Sequence, residues 1–147
     1  MKTAKNFSEG SPGLGVLAFC LAGVVLLGWK FVGNSTPGGL TDIKIPELSE
    51  QAKQGQQVFA ANCASCHGET ANGSEQGPPL VHNIYNPGHH ADVSFVRAAK
   101  LGVRAHHWPF GNMPAQPQVK NREIPLIISY VRELQRANGI VYQAHKM

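Results

Sequence analysis

With 147 residues, 13 Lys plus Arg against 9 Asp plus Glu, and three cysteines, the chain has room for one domain and a short appendage. From residue 34 onward 10 basic residues face 8 acidic ones, a surplus too small for a nucleic-acid surface, so no nucleic-acid partner is expected. Three cysteines also exclude a four-thiolate metal cluster and a dense disulfide framework.

The first element is Leu14 to Val32, LGVLAFCLAGVVLLGWKFV, apolar apart from Lys30 and preceded by Lys2 and Lys5. Its 19 residues span about 30 Å as a helix, the thickness of bilayer hydrocarbon. A single N-terminal transmembrane helix is therefore expected within residues 1–33, anchoring the chain in membrane lipid and exporting residues 34–147. A secretory signal cleaved near Gly33-Asn34-Ser35 is the alternative. Cys20 reads as a small apolar residue of the span, since the bulky Phe19 before it does not suit a lipidation box. Residues 34–46, opening with Asn34-Ser35-Thr36-Pro37-Gly38-Gly39, read as a flexible linker, and residues 47–147 as one domain.

Within the domain, Ser49 followed by Glu50 predicts a helix through Ala52, Gly55, Val58 and Phe59. It runs into Cys63-Ala64-Ser65-Cys66-His67, and C-x-x-C-H is the attachment signature of a c-type haem. Two thiols at this spacing add across the two vinyl groups on one porphyrin edge, and His67 brings an imidazole to the iron as proximal ligand. A tetrahedral zinc site needs a second ligand pair, which Cys20 does not provide. A thioredoxin-like dithiol needs the motif at the end of a strand, whereas here it closes a helix. A plain disulfide is the remaining alternative. One covalent haem c is the cofactor expected, and in a domain of about 100 residues with a thin core its porphyrin would be part of that core.

Next come Gly77-Pro78-Pro79-Leu80, by itself a turn, and loops holding His82, His89 and His90. Asp92 reads as the cap of a short helix carrying Phe95, Val96 and Ala99 and stopped by Gly102. A loop with Arg104, His106, His107 and Trp108 leads to Phe110-Gly111-Asn112-Met113-Pro114. The last helix places Ile124, Ile127, Ile128, Val131 and Leu134 on one stripe and ends at Gly139. Its start is ambiguous, since Asn121 suits a cap while Pro125 fits only the first turn. No strand is expected, and the histidines outside the motif, His145 in the tail included, read as exposed imidazoles.

These residues resemble a class I monohaem cytochrome c of the short, membrane-anchored bacterial kind. The likeness runs over about residues 47 to 140, carried by C-A-S-C-H, Gly77-Pro78-Pro79-Leu80, Asn112-Met113-Pro114 and the terminal helix around Tyr130. It implies an all-α cytochrome c fold around one covalent haem, preceded by the single transmembrane helix. It also implies that Gly55 and Phe59 pack against Tyr130, that the Pro78 carbonyl holds the His67 imidazole, and that Leu80 rests on the haem face. Tyr85, Arg104 and Trp108 match the region that binds the propionates, and all three can donate hydrogen bonds.

Met113 is the candidate for the sixth iron ligand, lying 46 residues after His67 between Gly and Pro in an irregular stretch, with Met1 and Met147 at the chain ends. His106 or His107 is the alternative. Iron between His67 and Met113 has no open position, so the expected function is one-electron transfer, and the chain itself is not expected to be an enzyme. By the resemblance, it would be a carrier at the bacterial inner membrane with its haem domain in the periplasm, in a respiratory or photosynthetic chain. The donor would be a quinol-oxidising cytochrome complex or a periplasmic dehydrogenase, and the acceptor a terminal oxidase or reductase. Two alternatives stay open. One is a fixed cytochrome c subunit of a larger membrane oxidoreductase, which the hydrophobic Gly139-Ile140-Val141-Tyr142 would suit, and the other is a haem sensor or enzyme from which Met113 departs.

Overall fold

The computed structural model describes residues 42–144. The expected membrane segment, the linker up to residue 41 and His145 lie outside them. Among the described residues, α1 (Glu50–Asn62), the single turn α2 (Ala64–His67), a 3₁₀ turn (Asn83–Tyr85), α3 (Asp92–Leu101) and α4 (Ile124–Ala137) are joined by loops. No strand forms among them, only one isolated bridge between Val103 and Met113. No helix among them is long and apolar enough to cross a membrane.

α1 starts where the sequence predicts. The Ser49 hydroxyl accepts the Ala52 N–H at 3.2 Å and donates to the Glu133 carboxylate at 2.7 Å, so a residue of α4 orients the cap of α1. α3 differs from expectation: its cap is Ala91, and Asp92 sits in the first turn, where its carboxylate accepts from Arg132 Nε at 2.9 Å. At α4 the cap is Glu123 rather than Asn121. Pro125 falls in the first turn, where its missing N–H has no helical partner to lose.

α1 and α4 cross in direct contact and carry the core. Gly55 makes the crossing close, because a Cβ there would overlap the Leu126 carbonyl oxygen. One turn on, the buried rings of Phe59 and Tyr130 meet with centroids 5.4 Å apart at 58°. Ile124, Ile127, Ile128, Val131 and Leu134 all turn inward as their spacing predicts. Arg132 and Gln135 are buried on the same helix. The Arg132 guanidinium lies 4.8 Å above the Phe95 ring of α3 and donates to the carbonyls of Tyr85 and His90 and to Gln135 Oε1. Gln135 Nε2 donates to the Leu80 carbonyl at 2.8 Å. This polar pair fixes the long loop between α2 and α3 onto α4.

The linker expected over residues 34–46 is shorter at its domain end. Ile43 packs on the core, and Lys44 is bonded in both directions to the Asn138 side chain, N–H to Oδ1 and Nδ2 to carbonyl, each at 2.9 Å. Ile140 is also buried, whereas Val141 and Tyr142 are 53% and 69% exposed.

Candidate functional site

The C-A-S-C-H segment is shaped by helix endings. Cys63 closes α1, its N–H bonded to the Phe59 carbonyl at 2.8 Å, and the chain then makes the one turn of α2. Gly68 ends that turn at φ +76°, a conformation that costs glycine little. The following loop doubles back onto the turn. Gly73 N–H reaches the His67 carbonyl at 2.7 Å, Ser74 Oγ donates to the Cys66 carbonyl at 2.6 Å, and the N–H groups of Leu80 and Val81 both reach the Ala71 carbonyl.

That return path delivers Pro78. Its carbonyl lies 2.8 Å from Nδ1 of the buried His67, which makes Nδ1 the protonated nitrogen and leaves the lone pair on Nε2. Burial lowers the pKa of His67, only partly offset by the Pro78 bond, so the imidazole is held neutral as a metal ligand must be. Cys63 and Cys66 stand three residues apart on one face of the turn, Cys63 half-buried and Cys66 exposed. Burial, then the neighbouring Cys66, pushes the Cys63 thiol up to about 11. That is the reverse of the lowered thiol that a redox dithiol needs.

His67 opens onto a cavity of about 690 Å³. Among its walls are Cys63, Pro78, Leu80, Tyr85, Arg104, Trp108 and Met113, so of the residues expected to bind the haem only Cys66 is not part of the lining. Met113 is pinned by two bonds with Val103, its N–H to the Val103 carbonyl at 3.0 Å and the reverse at 2.9 Å. Gly102, at φ +75°, allows this approach, since a Cβ there would come within 2.5 Å of the Met113 carbonyl. Asn112 Oδ1 braces the same loop by accepting from Ala105 N–H at 3.0 Å.

The lining suits a large flat amphipathic group with acidic substituents. Phe59, Leu80, Phe95, Val103, Ile127 and Ile128 supply apolar wall. The buried Trp108 Nε1 has no hydrogen-bond acceptor within the protein, a donor waiting for one from a ligand. Tyr85 stands beside it with its phenol pushed up to about 12 by burial, an effect the adjacent Trp108 indole reduces without reaching hydrogen-bonding geometry. Arg104 is the exposed cation of the set. A haem joined to the two thiols fits these walls.

The cytochrome c family model matches residues 52–135, which takes in the motif, the cavity loops and most of α4. The chain belongs to the cytochrome c family. It is a class I cytochrome c that carries a covalently bound c-type haem and transfers electrons. It is 37% identical over 93 residues to the Cbb3-type cytochrome c oxidase subunit CcoP of Rhodobacter capsulatus, covering 60% of this chain and 31% of that protein. It is 40% identical over 62 residues to the Cbb3-type cytochrome c oxidase subunit FixP of Sinorhizobium medicae, covering 40% of this chain and 22% of that protein. The chain thus spans less than a third of the length of these curated relatives. No solved structure matches it.

Sequence reasoning missed two groups. Arg132 and Gln135 were legible in principle, as polar residues four and seven positions after Ile128 on the apolar stripe of α4. The other is the histidines. His82 caps the 3₁₀ turn, with Nδ1 accepting the Ile84 N–H at 3.2 Å, while His89, His90, His106 and His107 gather at one edge of the cavity.

Proposed function

We propose that this cytochrome c is the electron-transfer subunit of a membrane terminal oxidase, the reading held second to a free carrier when the sequence is taken alone. The observation that carries the electron-transfer chemistry is that His67, with its lone pair on Nε2, and Met113, pinned by the Val103 bridge, line one cavity. The likeness to oxidase subunits favours a place within a complex over free diffusion.

In this reading Cys63 and Cys66 would hold the haem through thioether bonds, and His67 and Met113 would coordinate its iron. The bound haem supplies gain and loss of one electron at iron, and the thioether sulfur raises its potential relative to a bis-histidine site. Each residue then has a narrow task. The Pro78 carbonyl holds the His67 ring at a fixed tautomer and angle, and Leu80 and Phe59 exclude water. The Tyr85 O–H, the Trp108 N–H and the Arg104 guanidinium would be the donors offered to the propionates. The Gly102 turn and the Val103 bridge fix the main chain of Met113 at the cavity, which supports a held ligand over the sensor reading.

Residues 14–32 would hold this domain at the bacterial inner membrane, facing the periplasm, with membrane lipid and the oxidase as its neighbours. The exposed Val141 and Tyr142 are apolar groups suited to contact with another subunit. The test is purification from membranes in mild detergent with a tag after residue 147. A stoichiometric oxidase catalytic subunit in the product, and electron delivery to it within the isolated complex, is expected. Recovery of the cytochrome alone, with full electron transfer restored simply by mixing, would return it to the class of mobile carriers.

A further inference from the structure

Two pairs of neighbouring histidines from separate loops converge at one edge of the cavity. His89 and His90 precede α3, and His106 and His107 come after it. Ring centroids lie 4.6 Å apart for His89 and His90, 4.3 Å for His106 and His107, and 5.2 Å from His107 to each of His89 and His90. One ligand nitrogen from each of His89, His90 and His107 falls within 4.8 Å of the other two. We propose that these three imidazoles form a second metal site, distinct from the haem iron, for a borderline divalent first-row cation, with Cu²⁺ bound more tightly than Zn²⁺.

The ring nitrogens are spaced as ligands of one ion would be. Two nitrogens bound to one tetrahedral ion at about 2.0–2.1 Å stand about 3.3 Å apart. Nε2 of His89 and Nε2 of His107 are 3.2 Å apart, so that pair already has the separation an ion imposes. The third ligand is oriented from behind: His90 Nδ1 lies 2.7 Å from the Ile84 carbonyl, which makes it the protonated nitrogen and leaves Nε2 for the metal. Outer bonds of this kind to a carbonyl are the usual support of a metal-bound imidazole.

Charge and donor type point the same way. The three proposed ligands are all imidazoles, with no carboxylate or thiolate among them. An all-imidazole set selects copper or zinc over the oxygen-seeking magnesium and calcium, and the general order of divalent affinities ranks copper above zinc. Arg132, the nearby cation, has its charge offset by Asp92 at 2.9 Å.

The experiment uses the haem-loaded full chain, titrated by calorimetry with Zn²⁺ and with Cu²⁺, the latter followed by electron paramagnetic resonance. One ion per chain is expected, with Cu²⁺ showing nitrogen hyperfine structure. Affinity should fall more than 100-fold in His89→Gln and in His107→Gln, beyond the ~10–100-fold that outer contacts are worth. His82→Gln should bind as the parent does, and haem absorption should show that every variant is folded. His107 is exposed, so its replacement leaves packing intact. Binding of equal strength in the His89 and His107 variants would overturn the proposal. So would metal binding that abolishes the sulfur-to-iron absorption band, because the imidazoles would then belong to the haem site.

Discussion

Replacing Arg132 with Met isolates the polar pair that ties the cavity loops to α4. Arg132 is 7% exposed, and methionine matches the length of its apolar stem, so the change removes charge and donors while keeping most of the packing. The Tyr85 carbonyl keeps a second donor in Gln135 Nε2 at 3.2 Å, but the His90 carbonyl and Gln135 Oε1 lose the Arg132 guanidinium as donor. Each acceptor left unsatisfied in a buried setting costs ~1–3 kcal/mol, and no longer desolvating a guanidinium returns part of that. The net loss is about 3 kcal/mol, or roughly 12 °C or more in Tm for a domain of this size. Asp92, the formal ion-pair partner, has a side chain 66% exposed, so Asp92→Asn should cost no more than ~1 kcal/mol. Denaturant unfolding of both haem-loaded variants, followed by far-ultraviolet circular dichroism, makes the comparison. If Asp92→Asn costs as much as Arg132→Met, the ion pair and not the buried carbonyl bonds holds the loops, and the reasoning is wrong.

Gly55→Ala drives a methyl into the Leu126 carbonyl and should cost about 1–3 kcal/mol by prising α1 from α4, where an exposed helical Gly→Ala would stabilise; thermal unfolding reads the sign. Met113→Ala should leave the haem covalently attached, remove the weak sulfur-to-iron band of the ferric protein, lower the potential and let carbon monoxide bind the ferrous form. An unchanged spectrum would transfer the ligand role to a histidine. For Glu133, burial raises the pKa but is outweighed by hydrogen bonds from the Ser49 hydroxyl and N–H and by Arg136, leaving the carboxyl below its ordinary 4.5. A lowered folded-state pKa adds stability above that value and loses it as pH falls through the folded pKa. Glu133→Gln should therefore narrow the stability gap to the parent only in acid, as a pH series of unfolding midpoints would show.

The parts of the fold legible in the sequence are those decided by neighbouring residues. The Ser49 cap, the glycine stop at 102 and the inward stripe from Ile124 to Leu134 depend on spacing within one helix, and all form as read. Asp92 misled because its partner lies 40 positions away: its carboxylate accepts from Arg132 instead of capping, and Ala91 stands at the cap without a side-chain bond. The histidine cluster was illegible for a similar reason. His89-His90 and His106-His107 each look like a solvated loop pair, and only the path of α3 between them brings the four rings together. Trp108 shows the reverse: its place near the propionates was suggested by resemblance, and the lack of a protein acceptor at Nε1 is visible only in three dimensions.

The two-way clasp between Lys44 and Asn138 sets the start of this domain beside the end of its last helix. A unit with adjacent ends is portable: it can be spliced into a surface loop of another protein, or strung beside further units, without rethreading its interior. Its own order of helices is equally free to be cut and rejoined, with a bridge from the tail beyond the buried Ile140 back to Ile43 and new ends opened in the exposed turn near Glu75 and Gln76. Such a circular permutant would place Met113 ahead of Cys63 and Cys66 in the chain while preserving every wall of the cavity.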